Sequence, residues 1–423
     1  LSSPSCICMR LSTIVFKMLK NILNIRLNVL KWCGLVLFIL CVIFWTLDFR
    51  ETVNNDDKLM LWWTKGFPGT SDTISCSNGV KCKVLSDRSE GVNVSAYLFY
   101  GSGIDFEDLP RRTSGVIWAL YHEESPRNVQ ELLHEPVLGL FNFSSTFSRY
   151  SDVPCTLQYL SSIENIISLE FYVETAEKNK KLNELAPILY LQSDCETSTE
   201  RDKYVQELMK YIKIDSYGDC LNNKDLPNNF KEDYLNNLND DEFLRFIARY
   251  KFVVAIENGV CNDYLTEKLW RPITVGSVPI YFGAPTVRDW LPNNKSAILI
   301  EDYDTIEKLK NHIKLLMEND RLYEEYLVHK LKGEVNNERL SEEFRLRPWS
   351  VDALETATKL ECLVCERLHD TTDKEHIVNL DHYNCPKPVS ALTLSVNPVN
   401  DWVYSWDVAR VTAEELRRRV TQN

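Results

Sequence analysis

The sequence predicts an α/β protein built on parallel sheets, and three observations carry that expectation. From residue 187 onward, short apolar runs alternate with helix-like stretches. The runs are continuously apolar, as strands covered on both faces are, and do not alternate polar with apolar as one-sided strands do. A hydrophobic content of 44% with 26% charged residues supplies an ordinary globular core. The runs are 187–192 (PILYLQ), 212–217, 252–257 (FVVAIE), 278–283 (VPIYFG) and 297–300, with helix-like stretches at 200–211, 240–250, 263–274 and 304–318. Strands joined by helices of this length form crossover connections that cover a parallel sheet. Such sheets bind ligands beyond the carboxyl ends of their strands, so the loops after these runs are where chemistry is expected.

The chain before residue 187 is less regular. Residues 48–60 are polar and read as a stem, and folding is expected to begin near Leu61. Short strands are expected at 94–100, 115–120 and 137–143, each bounded by Gly, Pro or Ser. Past Cys385 the sequence offers only an aromatic patch (Trp402, Tyr404, Trp406) and a basic helical end at Arg417, Arg418 and Arg419.

Charge is unevenly spread. Arg10, Lys17, Lys20, Arg26 and Lys31 precede any acidic residue, so the rest of the chain is more acidic than the formal net charge of -13. A body of that sign repels a phosphate backbone, and nucleic-acid binding is not expected. After the basic stretch comes a 16-residue uncharged apolar run, 32–47 (WCGLVLFILCVIFWTL). As a helix it spans about 24 Å against a bilayer core of about 30 Å. A thinner membrane, or extension through Val29 and Leu30, closes the gap. A cleaved signal peptide is the alternative, but the long basic stretch and the bulky end of the run favour an uncleaved anchor. Basic residues before the run and Asp48, Glu51, Asp56 and Asp57 after it leave the body lumenal. The expectation is a single-pass type II protein of the endoplasmic reticulum or Golgi membrane, its start at Leu1, Met9 or Met18.

Nine cysteines follow the anchor. An odd number leaves at least one unpaired, and in an oxidising lumen Cys76 with Cys82, and Cys362 with Cys365, are candidate local disulfides. A zinc site would need a second ligand pair, and none stands at suitable spacing. His122 likewise lacks a partner at ligand spacing and reads as a structural or acceptor-lining residue. Asn93, Asn142 and Asn294 each open an Asn-x-Ser sequon on the lumenal side.

The densest motif is 250–285, YKFVVAIENGVCNDYLTEKLWRPITVGSVPIYFGAP. Asp263 is a good helix N-cap, and a helix begun there puts Tyr264, Glu267 and Lys268 on one face. A helix N-terminus after a strand attracts anions, and Lys268 adds a full charge where a diphosphate would sit. Glu267 can accept hydrogen bonds from ribose hydroxyls, and Tyr264 can pack on a nucleotide. The bland reading is a solvated Glu-Lys pair beside a core tyrosine. Pro272 is expected to kink the helix.

This stretch resembles the donor-binding signature of the alpha-1,3-fucosyltransferases, glycosyltransferase family 10: a strand ending in Glu-Asn, then Asp-Tyr-x-Thr-Glu-Lys-Leu, then Gly-Ser-Val-Pro. The segments 118–126 with 141–152 (WALYHEESP and FNFSSTFSRYSD) and 193–218 resemble other parts of that family in the same order, so the likeness spans about 95–366. It implies a GT-B architecture, two Rossmann-like domains facing a cleft: an acceptor-side domain at 61–186, a GDP-fucose-binding domain at 187–366 and a C-terminal extension at 367–423. It implies inverting transfer of fucose from GDP-fucose, with no metal and no required cofactor. Arg201 matches the family's phosphate-binding arginine, Tyr217 and Gly218 would border the base, and Asn258 would bond the sugar or fix its loop. Glu124 matches the general base, with Glu123 beside it as competitor, since neighbours on an extended chain face opposite ways. The 115–126 and 143–152 stretches resemble a divergent animal branch associated with O-fucosylation of small disulfide-rich protein modules. Transfer to GlcNAc of glycoprotein glycans is the alternative acceptor reading. A silent lumenal binding protein of the same fold is the alternative of another class, but Glu124, Arg201 and Lys268 are all present.

Overall fold

The computed structural model describes residues 58–422, apart from 66, 68–72, 89–92, 228–229, 231–239, 347–352 and 371–375. The expected cytoplasmic tail, the anchor at 32–47 and the stem up to 57 lie outside the described residues. Among the described residues no helix is long and apolar enough to cross a membrane.

Two sheets organise the body. The second in sequence contains β7 (Ile188–Leu191), β8 (Ile214–Tyr217), β9 (Phe252–Ile256), β10 (Val278–Phe282) and β11 (Ile298–Leu299). Its order is β11-β10-β9-β7-β8 and every pairing is parallel. The five residues of β9 (FVVAI) and of β10 (VPIYF) are all buried, as the continuous apolar runs require. Ile188, Tyr190, Val254, Ile256 and Ile280 pack on one face against Val205, Leu208, Leu309 and Ile313 of the helices Arg201–Met209 and Ile306–Glu318. The other face meets the helices Asp241–Ile247 and Glu267–Val275. At roughly 1.5–3 kcal/mol per fully buried large apolar side chain, this two-sided cover is the main force holding the sheet.

The first sheet has the order β2-β3-β1-β4-β5-β6, from β1 (Lys58–Trp62), β2 (Thr73–Ser75), β3 (Lys81–Leu85), β4 (Ala96–Tyr100), β5 (Ile117–His122) and β6 (Phe143–Thr146). All its pairings are parallel except β2 with β3. Two expectations are corrected here. Residues 58–60, assigned to the stem, belong to β1. The strand expected at 137–143 is a short helix, Glu135–Leu138, followed by a strand that starts only at Phe143; Pro136 at the helix start favours the helical turn.

The cover of the first sheet comes from the far end of the chain. The helix Ala353–His369 packs Ala357, Leu360 and Val364 against Met60, Trp62 and Leu98, and Trp62 Nε1 donates to buried Glu361 at 2.7 Å. The helix Asp401–Thr421 covers the opposite face, with Ala413, Leu416 and Val420 beside Trp118 and Leu120. The boundary expected at 366 therefore falls inside a helix that belongs to the first sheet.

The disulfides follow this closure. Cys76 bonds Cys362 and Cys82 bonds Cys365, stapling β3 and the turn before it to the Ala353–His369 helix. The local pairs Cys76–Cys82 and Cys362–Cys365 do not form: in the helix, residues three apart present both sulfurs to the same neighbouring sheet. Cys195–Cys220 and Cys261–Cys385 complete the set, and buried Cys155 is the unpaired ninth cysteine.

Candidate active site

The strand order of the second sheet reverses between β7 and β9, which is where an open parallel sheet leaves a crevice. A cavity of about 480 Å³ opens there, lined on one side by Glu124 of the first-sheet half and on the other by Ser193, Arg201, Asn258, Tyr264, Glu267 and Lys268.

Arg201 is the first residue of its helix and is fully buried. Its guanidinium bridges the reversal: one nitrogen donates to the Ile256 carbonyl at the end of β9 at 3.3 Å, and the other donates to the Asp194 carbonyl after β7. Among the described residues its Nε has no hydrogen-bond partner, nor has Asn258 Oδ1, and both residues line the cavity. A buried donor and a buried acceptor left open in one cavity fit a polar ligand.

Lys268 stands opposite. Its Nζ lies 3.1 Å from Glu267 Oε1 and 3.7 Å from Glu257 Oε2. Burial pulls the Lys268 ammonium down, but those two carboxylates outweigh it and leave its pKa raised. Burial also works against Glu267, yet Lys268 and Arg271 hold its carboxyl at about 2. Glu257 is fully buried, and desolvation lifts its carboxyl to about 7 despite Lys268. Its two oxygens accept from Thr266 N at 2.9 Å and Thr266 Oγ1 at 2.7 Å.

That clamp changes the helix start expected from the sequence. The N-cap is Thr266, whose hydroxyl accepts from Lys268 N, and the helix begins at Glu267. Asp263 sits outside it with φ +65. Its carboxylate is occupied by Arg149, Thr286 and Trp290, so it cannot cap. Tyr264 therefore lies in the loop before the helix. Pro272 is accommodated inside Glu267–Val275, which ends at left-handed Gly276 with Ser277 N bonding back to the Pro272 carbonyl at 2.8 Å.

Glu124 faces the cavity from the loop after β5. Its Oε2 accepts from Tyr264 Oη at 2.9 Å, and Tyr159 Oη lies at 3.4 Å from Oε1. Glu123 points away, taking Tyr100 Oη at 2.9 Å, and burial raises its carboxyl pKa. The structure thus brings Glu124, Arg201, Asn258, Tyr264, Glu267 and Lys268 to one cavity. Tyr217 does not join them: its ring packs on Phe246 in the core and its hydroxyl meets Tyr250 Oη at 2.8 Å. It belongs to β8, beyond β7 from the strand reversal, which removes it from the crevice. His122 is buried between Tyr383 Oη and Ser102 Oγ, and burial lowers its pKa to about 3, so it is a neutral structural residue.

Two family models match this chain: the C-terminal region of glycosyltransferase family 10 (fucosyltransferase) over residues 176–383, and the fucosyltransferase N-terminal region over 55–158. The chain belongs to glycosyltransferase family 10. Among its relatives is GDP-fucose protein O-fucosyltransferase 3 of Gallus gallus, 39% identical over 89% of this chain and 83% of that protein. The Homo sapiens protein of the same name is 40% identical over 86% of this chain and 80% of its own length. A solved alpha1,3-fucosyltransferase with GDP is a remote likeness at 15% identity and a TM-score of 0.43, over 72% of this chain and 84% of that one.

Some features of this family-10 site were missed in the sequence. Arg271 lines the cavity and lies 3.9 Å from Glu267, at a helical spacing that would have revealed it. Tyr159 approaches Glu124 from a loop with no local signal. Of the sequons, Asn93 and Asn294 are exposed. Asn142 is half-buried and hydrogen-bonded. Its side chain accepts from Trp118 N at 3.0 Å and Arg112 at 2.6 Å and donates to the His376 carbonyl at 3.0 Å, while Ser144 is fully buried in β6.

Proposed function

We propose that this fucosyltransferase moves L-fucose from GDP-fucose to a hydroxyl of a protein acceptor, with inversion at the anomeric carbon. One observation carries the reading: a carboxylate from the first-sheet half, Glu124, shares a cavity with two cations of the second, Arg201 and Lys268. As the acceptor oxygen attacks the anomeric carbon, Glu124 takes the hydroxyl proton. The bond between that carbon and the diphosphate oxygen breaks, its electron pair stays with GDP, and the Arg201 and Lys268 cations offset the charge that develops. The hydrogen bond from Tyr264 orients the base.

A protein hydroxyl as acceptor is supported by the relatives named GDP-fucose protein O-fucosyltransferase 3, 39–40% identical over most of the chain. Small disulfide-rich modules are the protein class we infer. The test incubates the protein with GDP-fucose and two acceptor sets, folded cysteine-rich modules and GlcNAc-terminated glycans. Fucose on Ser or Thr of the modules is expected; fucose on the glycans alone overturns the acceptor reading. With two fixed cations at the leaving group, activity is expected to persist in EDTA, and loss restored by manganese would contradict that. We also infer a two-lobed GT-B enzyme held by the 32–47 run in the endoplasmic reticulum or Golgi membrane, body lumenal. Four disulfides among the described residues support an oxidising compartment.

A further inference from the structure

The loop that delivers Arg201 to the cavity, 194–200, is held from two sides. On the inside, Ser198 Oγ donates to the Asn258 carbonyl at 2.7 Å and Thr199 Oγ1 to the Glu257 carbonyl at 2.8 Å. On the outside lies the C-terminal extension, where the sequence showed no purpose. Trp402 Nε1 donates to the Glu196 carbonyl at 2.7 Å, Asn400 Nδ2 to the Ser198 carbonyl at 3.0 Å, and Ala391 N to the Thr199 carbonyl at 2.8 Å. Asn397 Nδ2 reaches both oxygens of the Glu200 carboxylate, at 2.9 and 3.0 Å.

Glu196 and Glu200 both adopt left-handed backbone, φ +57 and +53. Residues with a side chain hold that conformation only where their surroundings enforce it. Glu200 immediately precedes Arg201, so its dihedrals set the direction in which the Arg201 helix starts. Its side chain is buried, and Lys203 at 2.7 Å and the Ser390 hydroxyl also bond its carboxylate. The outer segment is itself fixed at both ends, by the Cys261–Cys385 disulfide and by the Asp401–Thr421 helix packed on the first sheet. Trp402 also lies 5.1 Å from the Arg127 guanidinium, which pairs at 2.5 Å with Asp194, a cavity residue.

We propose that the C-terminal segment 390–402 is a strap that positions Arg201 for the donor diphosphate, with Asn397 as its main positioning residue and Trp402 as the second. The inference rests on the reading that Arg201 grips that diphosphate. The strap touches the loop and not the cavity, so it acts on donor affinity through the Glu200–Arg201 backbone.

The experiment measures GDP binding by calorimetry, GDP-fucose KM and kcat, and thermal melting on the full chain. Asn397→Ala removes the clamp, Asn397→Asp sets two carboxylates against each other, and Asn397→Asp with Glu200→Gln restores a hydrogen bond with the roles exchanged. Asn397→Ala is expected to weaken GDP about 5- to 10-fold, as loss of a hydrogen bond to a buried charge implies. Asn397→Asp should weaken it further, and the exchanged pair should return to within about threefold of wild type. Acceptor KM should stay unchanged throughout. Trp402→Phe keeps an aromatic side chain, smaller than the indole, and loses the Nε1 donor, and should cost about two- to threefold in GDP affinity. It keeps the question open to measurement should an Asn397 variant fail to fold. A lower melting temperature with GDP affinity within twofold of wild type in Asn397→Ala and Trp402→Phe would reduce the strap to packing and overturn the proposal. So would an exchanged pair that recovers nothing. Arg201→Ala is the control: if it binds GDP like wild type, the donor reading fails and takes the strap with it, whereas weak binding there and normal binding in the strap variants sinks the strap alone.

Discussion

The two sheets of this molecule are built from the same parallel pairing but are completed in opposite ways. The second draws its cover from helices that lie between its own strands or directly follow the last of them, so its cover is local. The first draws both of its covering helices from Ala353–His369 and Asp401–Thr421, at the other end of the chain. Its outer strands β2 and β3 show alternating burial and are stapled across 286 and 283 residues by disulfides. A local unit can be read from a window of sequence; a closure of that span cannot.

The largest effect that tests this contrast is on stability. A disulfide closing a loop of 283 residues restricts the unfolded chain by about 5.6 kcal/mol in the chain-entropy account, against about 3.5 kcal/mol for the 25-residue loop of Cys195–Cys220. Replacing Cys76, Cys82, Cys362 and Cys365 by Ser should therefore destabilise the protein by about 5 kcal/mol or more. Denaturant melts of these variants and of Cys195→Ser with Cys220→Ser check the order. Equal losses would mean that the first sheet does not depend on its distant helix as described.

The same contrast explains what was legible. The strands at 252–257 and 278–283 and the helix at 304–318 are found within two residues of their expected ends, because five consecutive buried residues leave one clear pattern. β1 to β3 were not expected, since KLMLW and KCKVL carry lysines and too little length to stand out from a loop. At the site, types and spacing pointed to Glu267 and Lys268, the family resemblance added Arg201 and Glu124, and the fold gathers all four. Asp263 and Tyr217 misled for a common reason: each has a good local claim and a tertiary partner that takes it elsewhere, Arg149 for the carboxylate and Tyr250 for the phenol.

Next in size is a pH effect confined to the second half. Glu257 has its carboxyl lifted to about 7 by burial, above an unfolded value of 4.5. A raised pKa means that the folded state keeps a proton the unfolded chain has given up. Its stabilising contribution is complete below about pH 4.5 and is lost as pH rises through about 7, a change of about 3 kcal/mol. Glu257→Gln removes that titration. The difference between the melting temperatures of wild type and variant should change across this window and be flat above about pH 8; a constant difference from pH 4 to 8 would deny the buried proton.

Catalysis divides along the same line. Glu124→Gln should lower turnover at least ~100-fold and leave GDP affinity nearly intact, as loss of a general base implies. Arg201→Ala and Lys268→Ala should each weaken GDP about 10- to 100-fold, the worth of a charge-assisted contact, and lower the rate as well. Single-turnover rates and calorimetry separate the two. Wild-type turnover in Glu124→Gln would remove it from the base role, and unchanged GDP affinity in both cation variants would move the diphosphate out of the second half.

The smallest expected effect falls in the first half and concerns Asn142. Its sequon is locally as good as the other two, but the amide is built into the sheet: it bonds Trp118 N at the start of β5, and its Nδ2 donates to the His376 carbonyl. A glycan on that nitrogen would leave it one N–H and place a bulky polar group beside β6, whose four residues are all buried. Asn93 and Asn294 are exposed and face no such conflict. Asn93→Gln and Asn294→Gln should each increase electrophoretic mobility by one glycan, while Asn142→Gln should leave mobility unchanged and cost about 1–3 kcal/mol of stability through its lost hydrogen bonds. A mobility shift in Asn142→Gln would show that the first sheet is assembled differently around β6. The long-range closure would then need another explanation.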